Sequence, residues 1–314
     1  MSVASKSALN VQYDLRPAKQ VERRMFVDAF QRLAQIGFPI REYQYTGFGS
    51  IHFVDFLVFH KLLGIHKMLS IEHDMTLEDR VKFNCPFNCV GIEMGSAIDV
   101  IPKLSRDLHH ILWLDYDFPI TSEMLDEIYL AGTQLSRGSI FIVTVDVEPP
   151  ERGSDDPCDT MNYFKRESGN YLGLFTVEDF AKSMIPKTSV RIIKNALEDG
   201  LSGRVDIDFL PIFHFKYADG HKMVTVGGII GSDDEKQRIN ALDKRMAFYL
   251  RTDLLSDPYE IVVPVLTRKE RHFLDSEMPC QEDWHPDDFK LPQGYIVSYR
   301  EIYRFLPAYG ELLV

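Results

Sequence analysis

The spacing of apolar residues near the start of the chain predicts an amphipathic helix over residues 17–36. Its buried stripe, at spacings of three and four, consists of Val21, Met25, Phe26, Phe30, Leu33 and Ile36. The other face is basic and carries Lys19, Arg23, Arg24 and Arg32. Two interpretations stay open for this basic face: a solvated surface, or a contact with an anionic ligand or partner.

From residue 42 onward, short β-like runs alternate with helical stretches. The predicted strands are 42–46, 66–72, 88–94, 109–117 and 139–148, and the predicted helices are 51–63, 76–84, 96–107 and 121–132. Gly64 is expected to end the first of these helices, and Thr76 to cap the second. Strands and helices that alternate in this way predict right-handed βαβ units and a mainly parallel sheet.

The pattern changes after residue 147. Residues 148–170 are polar and are predicted to form a lid over a site. A helix is predicted near 176–199, followed by β-rich runs at 205–217 and 222–232. Asp219-Gly220 between these runs predicts an antiparallel hairpin. A helix near 235–251 and a β-like run at 260–266 complete the pattern.

These elements predict an α/β fold with a doubly wound, mainly parallel, seven-stranded sheet that ends in an antiparallel hairpin. An N-terminal helix and a C-terminal extension flank this unit. The expected division is a helical cap over residues 1–40, a central domain over 41–232 and an extension over 233–314. The pattern does not decide whether the extension forms a small subdomain or wraps around the sheet.

Composition narrows the class of protein. Of the 314 residues, 45% are hydrophobic and 26% are charged, as in ordinary globular proteins. No apolar run approaches the roughly 18 residues of a membrane span, and the N-terminus lacks the apolar core of a secretory signal, so a cytoplasmic location is expected. Four irregularly spaced cysteines fit a reducing compartment. The formal net charge of −12 disfavours broad contact with nucleic-acid phosphates.

The segment "YQYTGFGS" predicts a tight turn between the first strand and its helix, with Gly47 and Gly49 allowing a ligand to approach the backbone. Glu72 ends the next strand, where a carboxylate can accept hydrogen bonds from ribose hydroxyls. A dinucleotide and S-adenosylmethionine are both bound by such a layout. His52 stands where a dinucleotide site needs a third glycine, no P-loop lysine follows, and the final hairpin also points away from a dinucleotide fold.

Four motifs resemble those of class I S-adenosylmethionine-dependent methyltransferases. In chain order they are "YTGFGS", "LSIEHD", "EMGSA" and "WLDYD", within residues 40–232. The whole pattern looks most like bacterial O-methyltransferases. Two positions depart from it: Tyr45 replaces an acid before the first glycine, and Ser96 replaces an acid in the third motif. The seven-stranded sheet with a final hairpin is the fold that this resemblance implies.

The resemblance also implies the site residues. The cofactor-binding set is Tyr45, Thr46, Gly47, Gly49, Ser50, Glu72, His73, Ser96, Ala97 and Asp115. Asp115 and Asp117 are the implied catalytic residues, with Asp115 orienting the methionine end or acting as a base for a substrate hydroxyl.

No metal is expected, but an alternative stays open. "LDYD" is also similar to the fourth motif of catechol-type O-methyltransferases, in which two aspartates hold Mg²⁺. Asp115 and Asp146 are the matching positions in this sequence. The lysine and asparagine that complete that pattern are replaced by Phe118 and Val147.

The sequence therefore predicts a methyltransferase that acts on an oxygen nucleophile of a small molecule. The alternatives are a methyltransferase acting on RNA or DNA, with the basic N-terminal helix contacting phosphates, and a non-catalytic interaction module. The acceptor, the oligomeric state and the role of residues 233–314 are not predicted.

Overall fold

The structure is a computed structural model that describes residues 16–150, 156–242, 247–287 and 289–307. Its centre is one sheet of eight strands in the order β3-β2-β1-β4-β5-β7-β6-β8. The strands are β1 (Gln44–Gly47), β2 (Lys67–Glu72), β3 (Val90–Met94), β4 (His110–Asp115), β5 (Ile140–Asp146), β6 (Asp208–Ala218), β7 (Lys222–Gly231) and β8 (Tyr259–Ile261).

The first five strands are parallel to one another, and β7 runs antiparallel to both β5 and β6. This arrangement confirms the predicted doubly wound sheet with a final hairpin. The predicted number of seven strands was one too low, because the C-terminal extension adds β8 parallel to β6. The added strand satisfies backbone groups that β6 would otherwise expose at the edge of the sheet.

Helices cover both faces of the sheet. They are α1 (Pro17–Gln35), α2 (Val54–Leu63), α3 (Glu78–Asn84), α4 (Ala97–Val100), α5 (Ser122–Gln134), α6 (Pro157–Ser168), α7 (Ile185–Leu201), α8 (Asp233–Asn240), α9 (Arg268–Glu277) and α10 (Gln293–Ile302). One apolar core lies between the sheet and the helices that include α1 and α2, and a second lies between the sheet and the helices that include α5 and α7. Side chains alternate between these cores along each central strand, as in Trp113 and Leu114.

The apolar stripe of α1 is confirmed, since Val21, Met25, Phe26 and Phe30 are fully buried. The interpretation of its other face as solvated or bound to an external anion was wrong for Lys19 and Arg23. Both side chains are buried and form ion pairs inside the protein. The period of hydrophobic residues does not identify a buried cation, because lysine and arginine count as polar wherever they lie.

Local boundaries differ from the prediction in several places; for example, the helix predicted near 235–251 is described only over Asp233–Asn240. Three differences lie near the candidate site. The cap after β2 is Asp74, whose carboxylate accepts from the Thr76 amide, and α3 begins only at Glu78. The predicted helix 96–107 is reduced to the single turn of α4 and a 3₁₀ turn over Ile101–Lys103. In the predicted lid, residues 151–155 lie outside the described residues, and most of the remainder forms α6, capped by Asp156.

The C-terminal extension lies against the central sheet. Tyr249, Tyr259, Ile302 and Phe305 are buried in the same core as α1. These parts of the extension therefore pack against the sheet, while the exact domain boundaries stay predictions. Within the described part of the chain, no helix is long and apolar enough to span a bilayer.

Candidate active site at the carboxyl edge of the sheet

The register of the three central strands places two carboxylates on either side of the glycine turn. Gly47 is in register with Ser70 on β2 and with Trp113 on β4. Glu72 and Asp115 each lie two residues further along their strands, at the same depth. The carboxyl ends of the parallel strands form one edge of the sheet, which we call the carboxyl edge. Since neighbouring strands are about 4.8 Å apart, the two backbone positions are about 10 Å apart along this edge.

The two glycines of the turn are required by close contacts within the protein. A Cβ on Gly47 would lie 2.6 Å from the Tyr45 hydroxyl, and a Cβ on Gly49 would lie 2.5 Å from the Ser70 hydroxyl. The Gly49 amide donates to that Ser70 hydroxyl at 3.1 Å. Ser50 follows with a positive φ of 52°. The turn is therefore held tightly against β2.

Glu72 is held at the end of β2 with little solvent around it, at 9% exposure. Its Oε1 accepts a hydrogen bond from the Ser50 amide and lies 3.5 Å from the Ser70 hydroxyl. Burial raises the pKa of Glu72 to about 7, and the bonds from Ser50 and Ser70 oppose this rise only in part. The side chain thus links the glycine turn to β2.

Asp115 is paired with a cation that comes from the N-terminal helix. Lys19 Nζ donates to Asp115 Oδ1 at 2.6 Å and to the Tyr217 hydroxyl at 3.1 Å, and lies 4.3 Å from the centroid of the Trp113 ring. Lys19 is 2% exposed, whereas the Asp115 side chain is 18% exposed. The carboxylate therefore meets solvent while its positive partner does not.

The charges continue beneath Asp115 as a buried network. Glu22 lies 2.9 Å from Lys19 Nζ and accepts a hydrogen bond from the Thr225 hydroxyl on β7. Arg23 forms an ion pair with Asp55 on α2. We call these five charged residues, Lys19, Glu22, Arg23, Asp55 and Asp115, the buried ion network. It joins α1 to α2 and to the ends of the central strands.

The hairpin fixes the start of α1. The two carboxylate oxygens of Asp219, in the turn between β6 and β7, accept from the backbone amides of Ala18 and Lys19 at 3.2 and 2.9 Å. The first amides of a helix have no partner within the helix, so this carboxylate satisfies them and complements the helix dipole. The contact sets the position of Lys19.

On the opposite side of the glycine turn, the third predicted motif lies at the start of α4. Ser96 occupies the N-cap position of this helix without a capping hydrogen bond from its side chain, and its hydroxyl donates to Asp99 at 3.2 Å. Ala97 is buried, and His73 is exposed just beyond Glu72. Glu127 of α5 accepts from the Ile98 amide at 3.2 Å and from the Tyr116 hydroxyl, and burial raises its pKa to about 7. Sequence reasoning did not select Glu127.

Three more predicted residues have clear positions. Tyr45 and Thr46 are fully buried in β1, so their side chains face the protein interior. The Tyr45 ring packs against Phe56 and Phe59. Asp117 lies in the partly buried segment after β4.

Asp146, the second aspartate of the alternative metal pair, lies beside a histidine and a glutamate, and its pairing with Asp115 stays a prediction. Asp146, at the end of β5, lies 3.3 Å from Nδ1 of His221, and Glu148 lies 3.5 Å from the same atom. Within the described residues, Glu148 and His221 are the potential ligands grouped with Asp146, and Asp115 is not among them.

A cavity of about 630 Å³ lies at the opposite side of the sheet from the glycine turn, near the amino ends of the parallel strands. Its walls include the start of β6, with Phe209 and Leu210, and Ile239 of α8. Because β6 begins opposite the end of β7, this cavity is far from the carboxyl ends of β1, β2 and β4. It is therefore separate from the candidate active site.

The strand order and the final hairpin define the fold of a class I S-adenosylmethionine-dependent methyltransferase. A family model described as "Putative O-methyltransferase" matches residues 11–314. The chain belongs to this family. A sequence comparison with curated proteins finds no significant match.

Solved structures with a similar fold share little sequence with this chain. Trm1 from Pyrococcus horikoshii, solved with S-adenosyl-L-methionine, is 12% identical, with a TM-score of 0.46, over 83% of this chain and 71% of that chain. The fibrillarin pre-rRNA processing protein of Methanococcus jannaschii is 11% identical, with a TM-score of 0.37, over 62% and 70%. A Staphylococcus aureus protein described as "putative caffeoyl-CoA O-methyltransferase" is 11% identical, with a TM-score of 0.32, over 65% and 83%.

Proposed function

We propose that this methyltransferase transfers a methyl group from S-adenosylmethionine to an oxygen atom of a small molecule. The observation that carries the proposal is the pair of carboxylates, Glu72 and Asp115, at equal depth on either side of the glycine turn. One would bind the cofactor and the other would face the acceptor. The family's description agrees with an oxygen acceptor.

The residues around the glycine turn fit the cofactor. The Ser50 hydroxyl is buried and has no hydrogen-bond partner within the described residues, although it lies beside Glu72. The Ser50 and Ser70 contacts of Glu72 both involve Oε1, so Oε2 would be the oxygen for ribose hydroxyls. Ser96 and Ala97 would flank the adenine. When bound, S-adenosylmethionine supplies an electrophilic methyl group.

Asp115 is the proposed base for the acceptor hydroxyl. Lys19 holds Oδ1, which leaves Oδ2 as the oxygen that would accept the proton. The buried lysine fixes the direction of the carboxylate, so the enzyme's contribution would be alignment of the acceptor together with proton removal. Asp117, two residues further, is proposed to contact the acceptor.

A small acceptor is preferred over a nucleic acid because of the position of the basic residues of α1. Lys19 and Arg23 are buried in the ion network, and Arg32 is bound to Asp28 in the same helix. Phosphates of RNA or DNA would therefore not reach Lys19 or Arg23, and of the four basic residues on this face only Arg24 is partly exposed outside these ion pairs. The formal charge of −12 acts in the same direction.

The first test is calorimetric titration with S-adenosylmethionine and S-adenosylhomocysteine. We expect Glu72→Gln to weaken binding at least about tenfold, because a carboxylate accepts stronger hydrogen bonds from ribose than a neutral amide does. Glu93→Gln, at an exposed position of the neighbouring strand β3, is the matched control and is expected to bind as the wild type does. Absence of binding by well-folded wild-type protein would overturn the proposal in favour of an interaction module.

The second test measures methyl transfer to panels of hydroxylated small molecules and to RNA and DNA. Asp115→Asn is expected to lower kcat at least about a hundredfold while S-adenosylhomocysteine still binds, since general-base catalysis contributes on the order of 10²–10⁴. Asp107→Asn, an exposed change before β4, is the control. Transfer to nucleic acid with none to small hydroxyl compounds would show that the proposed acceptor is wrong.

A further inference from the structure

We propose that Asp146, Glu148 and His221 form a binding site for a divalent transition-metal ion such as Zn²⁺. The three residues come from two segments that the sheet holds side by side. Asp146 ends β5 and is in register with Met223 of the antiparallel strand β7. The amide of Val147 also donates to the carbonyl of Lys222 at 2.9 Å. The sheet therefore places His221 beside the end of β5.

Two of the distances between the donor atoms match those around one ion. His221 Nδ1 lies 3.3 Å from Asp146 Oδ2 and 3.5 Å from Glu148 Oε2. Ligand atoms about 2.1 Å from a tetrahedral zinc ion are about 3.4 Å from one another. All three donor atoms lie within 4.8 Å of each other, so a single ion between them reaches each one without a backbone movement.

The orientation of the ligands is fixed before a metal binds. The Glu148 amide donates to Oδ1 of Asp146 at 2.7 Å, which turns Oδ2 towards His221. Such a hydrogen bond to the outer oxygen of a carboxylate is the usual support for a metal ligand. The Asp146 side chain is also only 8% exposed.

The chemistry of the donors selects the class of metal. One imidazole nitrogen and two carboxylate oxygens suit Zn²⁺ and related transition ions, whereas Mg²⁺ and Ca²⁺ prefer oxygen ligands alone. Two carboxylates and a neutral histidine carry a charge of −2, which a divalent ion balances. His221 is 52% exposed, so solvent or a substrate oxygen can complete the coordination. Three protein ligands and an open position are typical of catalytic zinc sites.

The site lies next to Asp115, on the proposed acceptor side of the candidate active site. Asp115 on β4 is in register with Thr144 on β5, so Asp146 lies on the adjacent strand and two residues further out. An ion there would bind an acceptor hydroxyl and lower its pKa. This role rests on the proposed function, whereas metal binding itself rests only on the three residues.

The test is calorimetric titration of the full chain with Zn²⁺ after chelator treatment and desalting, with Mg²⁺ in a parallel titration. We expect one Zn²⁺ per chain, at least about tenfold weaker binding in His221→Ala and in Glu148→Gln, and weaker binding of Mg²⁺ than of Zn²⁺. His272→Ala, an exposed histidine on α9, is the matched control and is expected to bind as the wild type does.

Zinc binding at a second pair of residues, Cys89 and His60, must be distinguished from binding at this site. Sγ of Cys89 lies 3.6 Å from Nδ1 of His60, and zinc binds thiolate and imidazole readily. The titrations are therefore repeated in a Cys89→Ser background, where the dependence on His221 is expected to persist. No binding of Zn²⁺, or binding that is equal in His221→Ala and wild type, would overturn the proposal. Cofactor binding does not enter either result, so failure here is distinct from failure of the methyltransferase proposal.

Discussion

The two halves of the carboxyl edge hold their carboxylates in opposite ways. On the β2 side, Glu72 is buried beside uncharged groups, the Ser50 amide and the Ser70 hydroxyl, and its pKa is raised to about 7. On the β4 side, Asp115 is bonded directly to the buried ammonium group of Lys19. The two carboxylates thus lie at the same position along their strands, but only Asp115 is bonded to a cation.

This difference separates two tasks of a carboxylate. A buried acid with uncharged partners costs stability at neutral pH, which is expected where a ligand later supplies hydrogen bonds. A partly exposed acid that is bonded to a buried cation is fixed in direction without any ligand. The first arrangement fits reversible binding of ribose hydroxyls, and the second fits a constant orientation towards an acceptor.

The largest expected effect comes from removing the cation. Lys19→Met keeps most of the side-chain volume at position 19 but leaves Glu22 and Asp115 without their positive partner. We expect the free energy of unfolding to fall by about 3–5 kcal/mol, the usual result of breaking a buried ion pair from one side. Urea denaturation followed by tryptophan fluorescence measures it.

Lys187→Met, at an exposed position of α7, is the control for the loss of a positive charge and is expected to change stability by less than about 0.5 kcal/mol. Adding Glu22→Gln to Lys19→Met is expected to recover part of the loss, because one uncompensated charge disappears. Equal stabilities of Lys19→Met and the wild type would remove the contrast between the two halves.

The second effect is a gain in stability, which is expected at neutral and higher pH when the Glu72 carboxylate is removed. Burial gives Glu72 a pKa of about 7 in the folded state, compared with 4.5 as its ordinary value. The folded protein therefore binds this proton more tightly, and the resulting stability, present below about pH 4.5, is lost as the pH rises through 7. A difference of 2.5 in pKa corresponds to about 3 kcal/mol.

Glu72→Gln removes this dependence. Its unfolding free energy, relative to that of the wild type, is expected to rise by up to about 3 kcal/mol between pH 5 and pH 8. Glu127, which also has a pKa of about 7, is present in both proteins and cancels from the difference. The exposed Glu93→Gln variant should show no such trend, and a flat difference for Glu72→Gln would contradict the contrast.

The smallest effect concerns the turn between the two halves. Gly49→Ala places a Cβ 2.5 Å from the Ser70 hydroxyl and 2.8 Å from the Phe53 ring, whereas a Cβ on Gly95 meets no atom within 4 Å. We expect Gly49→Ala to lower the unfolding free energy by about 1–3 kcal/mol, as overpacking does. Gly95→Ala serves as the matched control, with a stability near that of the wild type, measured by thermal unfolding. Equal losses in the two variants would mean that the contacts of Gly49 carry no special weight.

The sheet was predictable because its signals are local. Apolar runs that alternate with helical segments indicate strands, and the Asp219-Gly220 turn indicates the final hairpin. Most strands and their parallel or antiparallel direction could therefore be predicted from short segments. The strand β8 was missed as a member of the sheet because pairing between residues 259–261 and 215–217 depends on contacts distant in sequence. A run of three residues carries too little pattern to reveal its partner.

The candidate site was predictable only where a motif marks it. Glu72 and Asp115 end apolar strands, and this position is visible in the sequence. Lys19 and Glu127 lie on helices whose patterns show only that they are polar. Their burial depends on which face each helix turns to the sheet, and a charged residue in the first turn of a helix usually indicates a solvated end. The Asp219 contact with α1 is the feature that reverses this expectation.

The contacts of α1 also set an order of events during synthesis. Lys19 meets its hairpin partner Asp219 across 200 residues, and Glu22 meets Thr225 across 203. At about 5–20 residues per second, the ribosome completes α1 roughly 10–40 s before the hairpin exists. The helix with its apolar stripe therefore waits as a nascent segment and can complete its contacts only after the hairpin has been made. Its exposed stripe in that interval is the natural target for a chaperone.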